Sequence, residues 1–384
     1  MKSVRLRIAA GSARGRIFKK MVKSADKGTA HGDVVRVLDR DGRVLGQGFY
    51  NGRSEIAVRL LTRNPSETID EGYIRRKVES AIKLRRDTLR LGRRTDAYRV
   101  FHAEADGLPG LVVDRYGDVL SAEISVLGTY RLMVEIKAAL RGIVGYRALA
   151  VRAEPRYAKL EGFRVPPLSP APEWRRTIRE YGAKFEVDLA GGHKTGFFLD
   201  QRDNRQSFAG LAGGRKVLDL CCHAGGFAVH AALSGARRVR AVDLDEAAVA
   251  LARQNAKKNK TDVEVVHADA FEVLRSTKKG TFDALVLDPP KLVHSRDDRS
   301  KGLNAYFDLN RLALRALAPG AILMTCSCSG LIDEPTFLET VRRAAAEADR
   351  GLRILRLSGA AADHPVDPQV PETRYLKVVL AEVV

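Results

Sequence analysis

The run Thr325-Cys326-Ser327-Cys328-Ser329-Gly330 ends a short apolar stretch with two thiols on alternate residues, and upstream Leu287-Asp288-Pro289-Pro290-Lys291 ends another with a carboxylate. A cysteine thiolate is well suited to add to an electron-poor ring carbon. Cytosine needs such help, because its C5 attacks a methyl group only after a nucleophile has added to C6 and made C5 enamine-like. Asp288 could hold the cytosine N3/N4 edge and stabilise the protonated adduct, and the two prolines behind it fix the direction of the chain. An ordinary thiol pKa near ~8.5 must be lowered by the surroundings for useful attack. Alternate residues of a strand share a face, so spacing leaves Cys326 and Cys328 equivalent. The competing role for either is a small core residue, and Cys221 and Cys222 lean further that way.

Both motifs belong to a repeated strand, turn, helix grammar that begins beyond about residue 180. Short apolar runs at 216–220, 239–242, 263–266, 284–287 and 321–325 read as buried parallel strands. Residues 246–259 place Ala248, Leu251, Ala252 and Asn255 on one face of a crossover helix. A helix near 336–348 and closing strands at 352–357 and 375–383 follow, with no helical sequence between the last two. An antiparallel closing pair favours a seven-stranded methyltransferase sheet over a nicotinamide-binding one.

The first of these strands runs into Asp219-Leu220-Cys221-Cys222-His223-Ala224-Gly225-Gly226, a Gly-rich turn that lets backbone approach a ligand. Asp243 ends the next strand, where a carboxylate can accept both ribose hydroxyls, and Asp269 follows the third, placed to accept from an adenine amino group. Three carboxylates fit a nucleoside carrying a cationic sulfonium and an amino acid, and fit pyrophosphate poorly. S-adenosylmethionine is therefore favoured over NAD. Any one of the three could instead cap a helix; their joint spacing carries the argument.

Lys and Arg total 66 against 47 Asp and Glu in the 384 residues, a formal net charge of +19. Residues 1–100 hold 25 basic and 11 acidic side chains, so a polyanion, best a nucleic acid, is the expected partner. Residues 1–70 read as a small basic β module with a hairpin around Asp39-Arg40-Asp41-Gly42. From Ile69 a helix is expected, with Ile74, Val78, Ala81, Ile82 and Leu89 inward and Arg75, Arg76, Lys77, Lys83, Arg85 and Arg86 on its other faces. Strands near 98–103, 110–114 and 119–125 and a helix near 131–140 complete an α+β module, and a Pro-rich linker spans 164–173. Four cysteines, all in the C-terminal half, suit neither a disulfide framework nor a zinc knuckle, so no metal is expected. No apolar run approaches the ~20 residues of a membrane helix, and Arg5, Arg7, Arg14 and Arg16 interrupt any signal-peptide core. A soluble cytoplasmic protein without membrane partners is expected.

With these residues in hand, the chain resembles the ribosomal RNA large-subunit methyltransferase I family, whose members make 5-methylcytosine in 23S rRNA. The resemblance spans nearly the full length. It is carried by the segment from His193-Lys194-Thr195-Gly196 through Gln201-Arg202-Asp203-Asn204-Arg205, by Ala224-Gly225-Gly226-Phe227-Ala228-Val229, Asp288-Pro289-Pro290-Lys291 and Ser327-Cys328-Ser329-Gly330, and by Ala362-Asp363-His364-Pro365. It implies an α/β fold: a PUA-like RNA-binding β-barrel over 1–70, a central α+β domain with linker over 71–172, and a Rossmann-like class I methyltransferase domain over 173–384. It further implies that the nucleophile is Cys328 and that cofactor contacts fall near Gln201, Arg202, Asp219, Gly225, Asp243, Asp269 and Asp288.

Two departures stand out. Ser12-Ala13-Arg14-Gly15-Arg16-Ile17-Phe18-Lys19-Lys20 lacks the His-Pro-Trp signature usual in the family's PUA domain, and Cys326 stands where an aromatic is usual. Two-cysteine RNA cytosine methyltransferases carry their second cysteine after the Pro-Pro turn. Lys291 is there instead, so product release by that route is not expected.

The expected activity is S-adenosylmethionine-dependent formation of 5-methylcytosine in 23S rRNA, with self-association into a homodimer left open. The alternatives are guanine-nitrogen methylation, which needs Asp288 and no thiol, and a non-catalytic RNA-binding assembly factor. Free tRNA as substrate is a variant that charge does not distinguish.

Overall fold

The computed structural model describes residues 1–9, 15–190 and 196–384. Ser12, Ala13 and Arg14, and His193, Lys194 and Thr195 of the family-like motif, lie outside the described residues. The chain divides into two compact units.

The first unit comprises Met1–Arg176, Val187–Gly196 and Asp363–Thr373. Strands β1 (Ser3–Leu6), β2 (Arg16–Phe18), β3 (Val22–Ala25), β4 (Val34–Leu38), β5 (Val44–Tyr50) and β6 (Ile56–Thr62) form a six-stranded sheet in the order β2-β6-β5-β4-β1-β3. Its pairs are antiparallel except β1 beside β4. The β4–β5 turn is closed by Asp39 Oδ1, which accepts from the amides of Asp41 (2.9 Å) and Arg43 (2.8 Å).

Helix α1 (Glu71–Lys83) starts where Asp70 accepts from Tyr73 N at 2.8 Å. It packs Tyr73, Ile74, Val78, Ala81 and Ile82 into a core shared with Phe49 and Leu61 of the first sheet. The same core takes residues from a second sheet, β10-β9-β8-β7, built from β7 (Ala97–His102), β8 (Leu111–Tyr116), β9 (Val119–Ile124) and β10 (Ala148–Arg152). Helices α2 (Leu127–Arg131), α3 (Met133–Ile143) and α4 (Pro155–Glu161) complete this part.

One expectation is corrected here. Arg85, assigned above to an outer face of the helix, is fully buried. After Lys83 the helix widens into a π turn, Leu84–Thr88, which departs from the 3.6-residue period and turns Arg85 inward. Its guanidinium pairs with Asp106 (2.7 Å) and donates to the carbonyls of Ala81, Arg99 and Asp363, so the burial of its charge is matched by acceptors.

The second unit comprises Thr177–Glu186, Phe197–Ala362 and Arg374–Val384. Most of the hairpin β11 (Arg175–Glu180) and β12 (Ala183–Asp188) belongs to it. Its main sheet has seven strands: β13 (Lys216–Leu220), β14 (Arg238–Asp243), β15 (Val263–His267), β16 (Ala284–Leu287), β17 (Ile322–Ser327), β18 (Leu352–Ser358) and β19 (Lys377–Val383). They run in the order β15-β14-β13-β16-β17-β19-β18, parallel except that β19 is antiparallel to both neighbours. Every residue of β16 and β17 is buried, which is why β16 and the Ile322-Leu323-Met324 start of β17 read as apolar runs. Helices α5 (Arg202–Ala209), α6 (Gly226–Leu233), α7 (Glu246–Lys258), α8 (Ala270–Ser276), α9 (Arg299–Ala316) and α10 (Glu334–Glu347) connect the strands. The strand order reverses between β13 and β16, and a crevice beyond the C-terminal strand ends at such a switch point is where ligands bind in open α/β sheets. None of the described helices is long and apolar enough to cross a membrane.

Candidate active site

The turn after β13 bends sharply at the C-terminal end of the sheet. Cys221 (φ 59°) and His223 (φ 47°) adopt the left-handed region alongside Gly225 (φ 74°), a conformation that costs a non-glycine residue roughly 1–2 kcal/mol. Neighbouring contacts hold the turn in place. His223 N donates to Asp243 Oδ2 (2.8 Å), Ala228 N donates to Asp219 Oδ2 (3.0 Å), and the buried Asn255 donates from Nδ2 to Ala224 O (2.9 Å). Gly226 has no room for a side chain, since a Cβ there would lie 2.8 Å from Arg205 Cδ.

Asp219, Asp243, Asp269 and Asp288 converge on this turn. Burial first, and then the negative charges of all four, push the Cys221 thiol far above its ordinary range. Asp219 is itself fully buried; burial, reinforced by Asp288 and Asp243, raises its carboxyl well above the usual carboxylate range. Its Oδ1 has no hydrogen-bond partner among the described residues. A buried, unmatched carboxylate oxygen within an acidic cluster fits a cationic sulfonium donor and suits a pyrophosphate badly. Asp243 also accepts from Asp245 N at 3.0 Å. Asp269 caps α8, accepting from Phe271 N (2.8 Å) and Glu272 N (3.1 Å).

Asp288 follows β16, half-buried, and is anchored from the residue that precedes α5. Gln201 Nε2 donates to Asp288 Oδ2 at 3.0 Å, Asn204 Nδ2 donates to Gln201 Oε1 at 2.7 Å, and Ser358 Oγ donates to Asn204 Oδ1 at 2.8 Å. Arg202, whose side chain is fully buried, donates from Nε to Asp203 Oδ1 at 3.2 Å. Lys291 is exposed beyond the prolines.

The two thiols that spacing could not separate differ in surroundings. Cys326 lies on β17 with no exposure, and burial first, then Asp288, raises its thiol well above the ordinary value. Cys328 sits one step past the strand end and is partly exposed. The turn that carries it is fixed by Ser329, whose Oγ lies 3.0 Å from Tyr306 Oη and accepts from Val293 N at 3.2 Å.

Three features were not anticipated from the sequence. Glu180 of β11, fully buried, accepts from Arg205 through both oxygens (2.7 Å each) and lies 3.1 Å from His230 Nε2. Asn204 links Gln201 to the segment after β18 through Gly359 O at 2.9 Å. Lys377, almost fully buried, donates to the carbonyls of Ser329 and Tyr375. Its one visible signal is a lysine set between the apolar Leu376 and Val378 in the closing run.

A family model for S-adenosylmethionine-dependent methyltransferases matches residues 161–377, and one for PUA-like domains matches residues 16–63. Among curated proteins, the ribosomal RNA large subunit methyltransferase I of Aeromonas hydrophila subsp. hydrophila is 38% identical over 370 residues, covering 94% of this chain and 93% of its own. That of Cronobacter sakazakii is 35% identical over 389 residues, covering 98% of each. Among solved structures, a candidate SAM-dependent methyltransferase from Streptococcus mutans matches with a TM-score of 0.82 and 22% identity over the whole of both chains. A candidate methyltransferase complexed with S-adenosylhomocysteine matches with a TM-score of 0.81 and 21% identity over 99% of each. These two likenesses are of fold. The carboxylate-lined crevice, the PUA-like front and the near-complete overlap with the curated relatives lead to one assignment: the chain belongs to the S-adenosylmethionine-dependent methyltransferases, in the ribosomal RNA large subunit methyltransferase I family.

Proposed function

We propose that the protein methylates cytosine C5 in 23S rRNA through a covalent adduct between Cys328 and the base. The observation that carries this reading is the difference between the thiols: Cys326 is sealed in the core, while Cys328 is partly exposed at the strand end next to the anchored Asp288 turn. S-adenosylmethionine, when bound, supplies an electrophilic methyl group. Gln201, Arg202, Asp219, Gly225, Asp243, Asp269 and Asp288 would hold it. Cys328 Sγ adds to C6, breaking the C5–C6 double bond and making C5 nucleophilic. Asp288 holds the N3/N4 edge and stabilises the adduct. After C5 has been methylated, loss of its proton re-forms the double bond and expels the thiolate. The residues at 1–70 and 71–172 would grip phosphates while the target base leaves its stack to enter the crevice of the domain at 173–384. Ribosomal RNA as substrate places this work in the cytoplasm.

The test compares wild type with Cys328→Ala on 23S rRNA, mapping the modified nucleotide by mass and assaying trapping on 5-fluorocytidine RNA. The reading expects trapping by the wild type and a loss of methylation of at least about 1,000-fold in the variant. Retained methylation by Cys328→Ala would instead support guanine-nitrogen chemistry, and absence of any donor binding by calorimetry would support a non-catalytic assembly factor.

A further inference from the structure

Lys377 opens β19 with only 2% of its surface exposed. An ammonium taken from water is costly unless it meets acceptors, and Nζ donates to Ser329 O at 2.6 Å and to Tyr375 O at 2.7 Å. Ser329 directly follows Cys328, and the β17–β19 register sets Lys377 opposite Ser327. The amine is therefore fastened to the turn that carries the exposed thiol.

Other charged and titratable groups face the pair as well. Asp288, after β16, presents a carboxylate to the thiols at the end of β17 and opposes their ionisation, so the ammonium of Lys377 is set against it, and Arg299 of α9 faces Asp333 beside Lys377. On α10, Asp333 accepts from Thr336 N at 2.9 Å as the helix cap, and Glu334 is bridged to Arg374 at 2.6 Å. From α9 comes Tyr306, whose hydroxyl burial raises to about 12, and from β17 the sealed Cys326. Burial lowers the Lys377 amine to about 8. Among the influences that raise it the Cys328 thiolate comes first, ahead of Asp333 and Glu334. The value of about 8 already includes the Cys328 thiolate, so the protonated amine and the thiolate are favoured together, as a pair. Linkage is reciprocal, so whatever the thiolate does to hold the proton on Lys377, the ammonium does to keep it off Cys328.

We propose that Lys377 is a positioning residue for methyl transfer: its buried ammonium pins the turn after β17 and is the counter-charge that favours the Cys328 thiolate over the thiol. This rests on Cys328 being the nucleophile. A purely structural lysine would hold the turn without influencing the thiol's titration.

The test follows alkylation of Cys328 by iodoacetamide against pH in the full-length protein, without RNA or donor, resolving each cysteine by peptide mass. In the wild type the midpoint is expected below the free-thiol value of ~8.5. Lys377→Met should raise it by about one unit, slowing alkylation at neutral pH about tenfold, whereas Lys377→Arg, which keeps the charge, should leave it near the wild-type value. An unchanged midpoint in folded Lys377→Met, or an Arg variant displaced as far as the Met variant, overturns the proposal. Should Lys377→Met fail to fold, a wild-type midpoint at or above ~8.5 overturns it alone. The trapping assay with Cys328→Ala separately decides whether Cys328 is the nucleophile, so failure of that reading and failure of the Lys377 proposal are distinguishable.

Discussion

Gln201 Nε2 donates to Asp288 Oδ2 at 3.0 Å, joining the segment before α5 to the turn after β16. With Asn204 and Ser358 behind it, the amide has one orientation that satisfies both ends. A hydrogen bond to a charged group is worth about 1.5–3 kcal/mol. Gln201→Leu should therefore lower methylation about 10- to 100-fold, while Gln201→Glu should do worse by placing a second carboxylate against Asp288. Steady-state methylation of an rRNA fragment, beside a thermal melt to confirm folding, checks both.

Asp219 is expected to trade stability for binding. A carboxyl whose folded pKa is raised above its unfolded value costs stability once pH exceeds the unfolded pKa, because the buried ionised form is disfavoured. Asp219→Asn should thus raise the Tm of the donor-free protein at pH 8 and lessen its dependence on pH. The same change removes a carboxyl that a bound sulfonium cation would hold ionised, and should weaken S-adenosylmethionine by about tenfold, or 1.4 kcal/mol, with a smaller loss for the neutral product S-adenosylhomocysteine. Calorimetry with both ligands reads the difference.

The triad of Glu180, Arg205 and His230 predicts acid sensitivity. Burial alone would raise Glu180, but Arg205 and His230 outweigh it and bring the carboxyl from 4.5 to about 2. A depressed folded pKa contributes stability that is present above the unfolded pKa and lost as pH falls through the folded value. Denaturation midpoints should therefore fall between about pH 4.5 and pH 2, and Glu180→Gln should flatten that dependence. At neutral pH the same substitution leaves Arg205 buried without its counter-charge and should cost about 3–5 kcal/mol.

Arg90, Arg93 and Arg94 are exposed on the short segment after the π turn. If they meet phosphates, each contributes roughly 0.7–0.9 to the slope of log affinity against log salt. Replacing all three with Ser should reduce that slope by about 2–3 in filter binding to a 23S rRNA fragment. An unchanged slope would place the RNA contacts elsewhere on the basic front.

Much of this protein was legible along the chain because the relevant physics is local. Buried parallel strands such as β16 must be apolar throughout, the turn after β13 must admit left-handed backbone, and the Asp39–Gly42 turn brings its own side-chain cap. The period-two rule also placed Cys326 and Cys328 on one side of their strand, but could go no further, because burial at a strand end depends on what packs over it. Tertiary structure decided that Cys326 is sealed and Cys328 partly open, that a π turn buries Arg85, and that Glu180 meets Arg205 and His230. It also decided that Lys377, distant in sequence, donates to the residue beside Cys328. Ion pairs and hydrogen bonds of this kind join groups far apart in sequence, and their partners are chosen by the fold of the whole unit rather than by any nearby pattern.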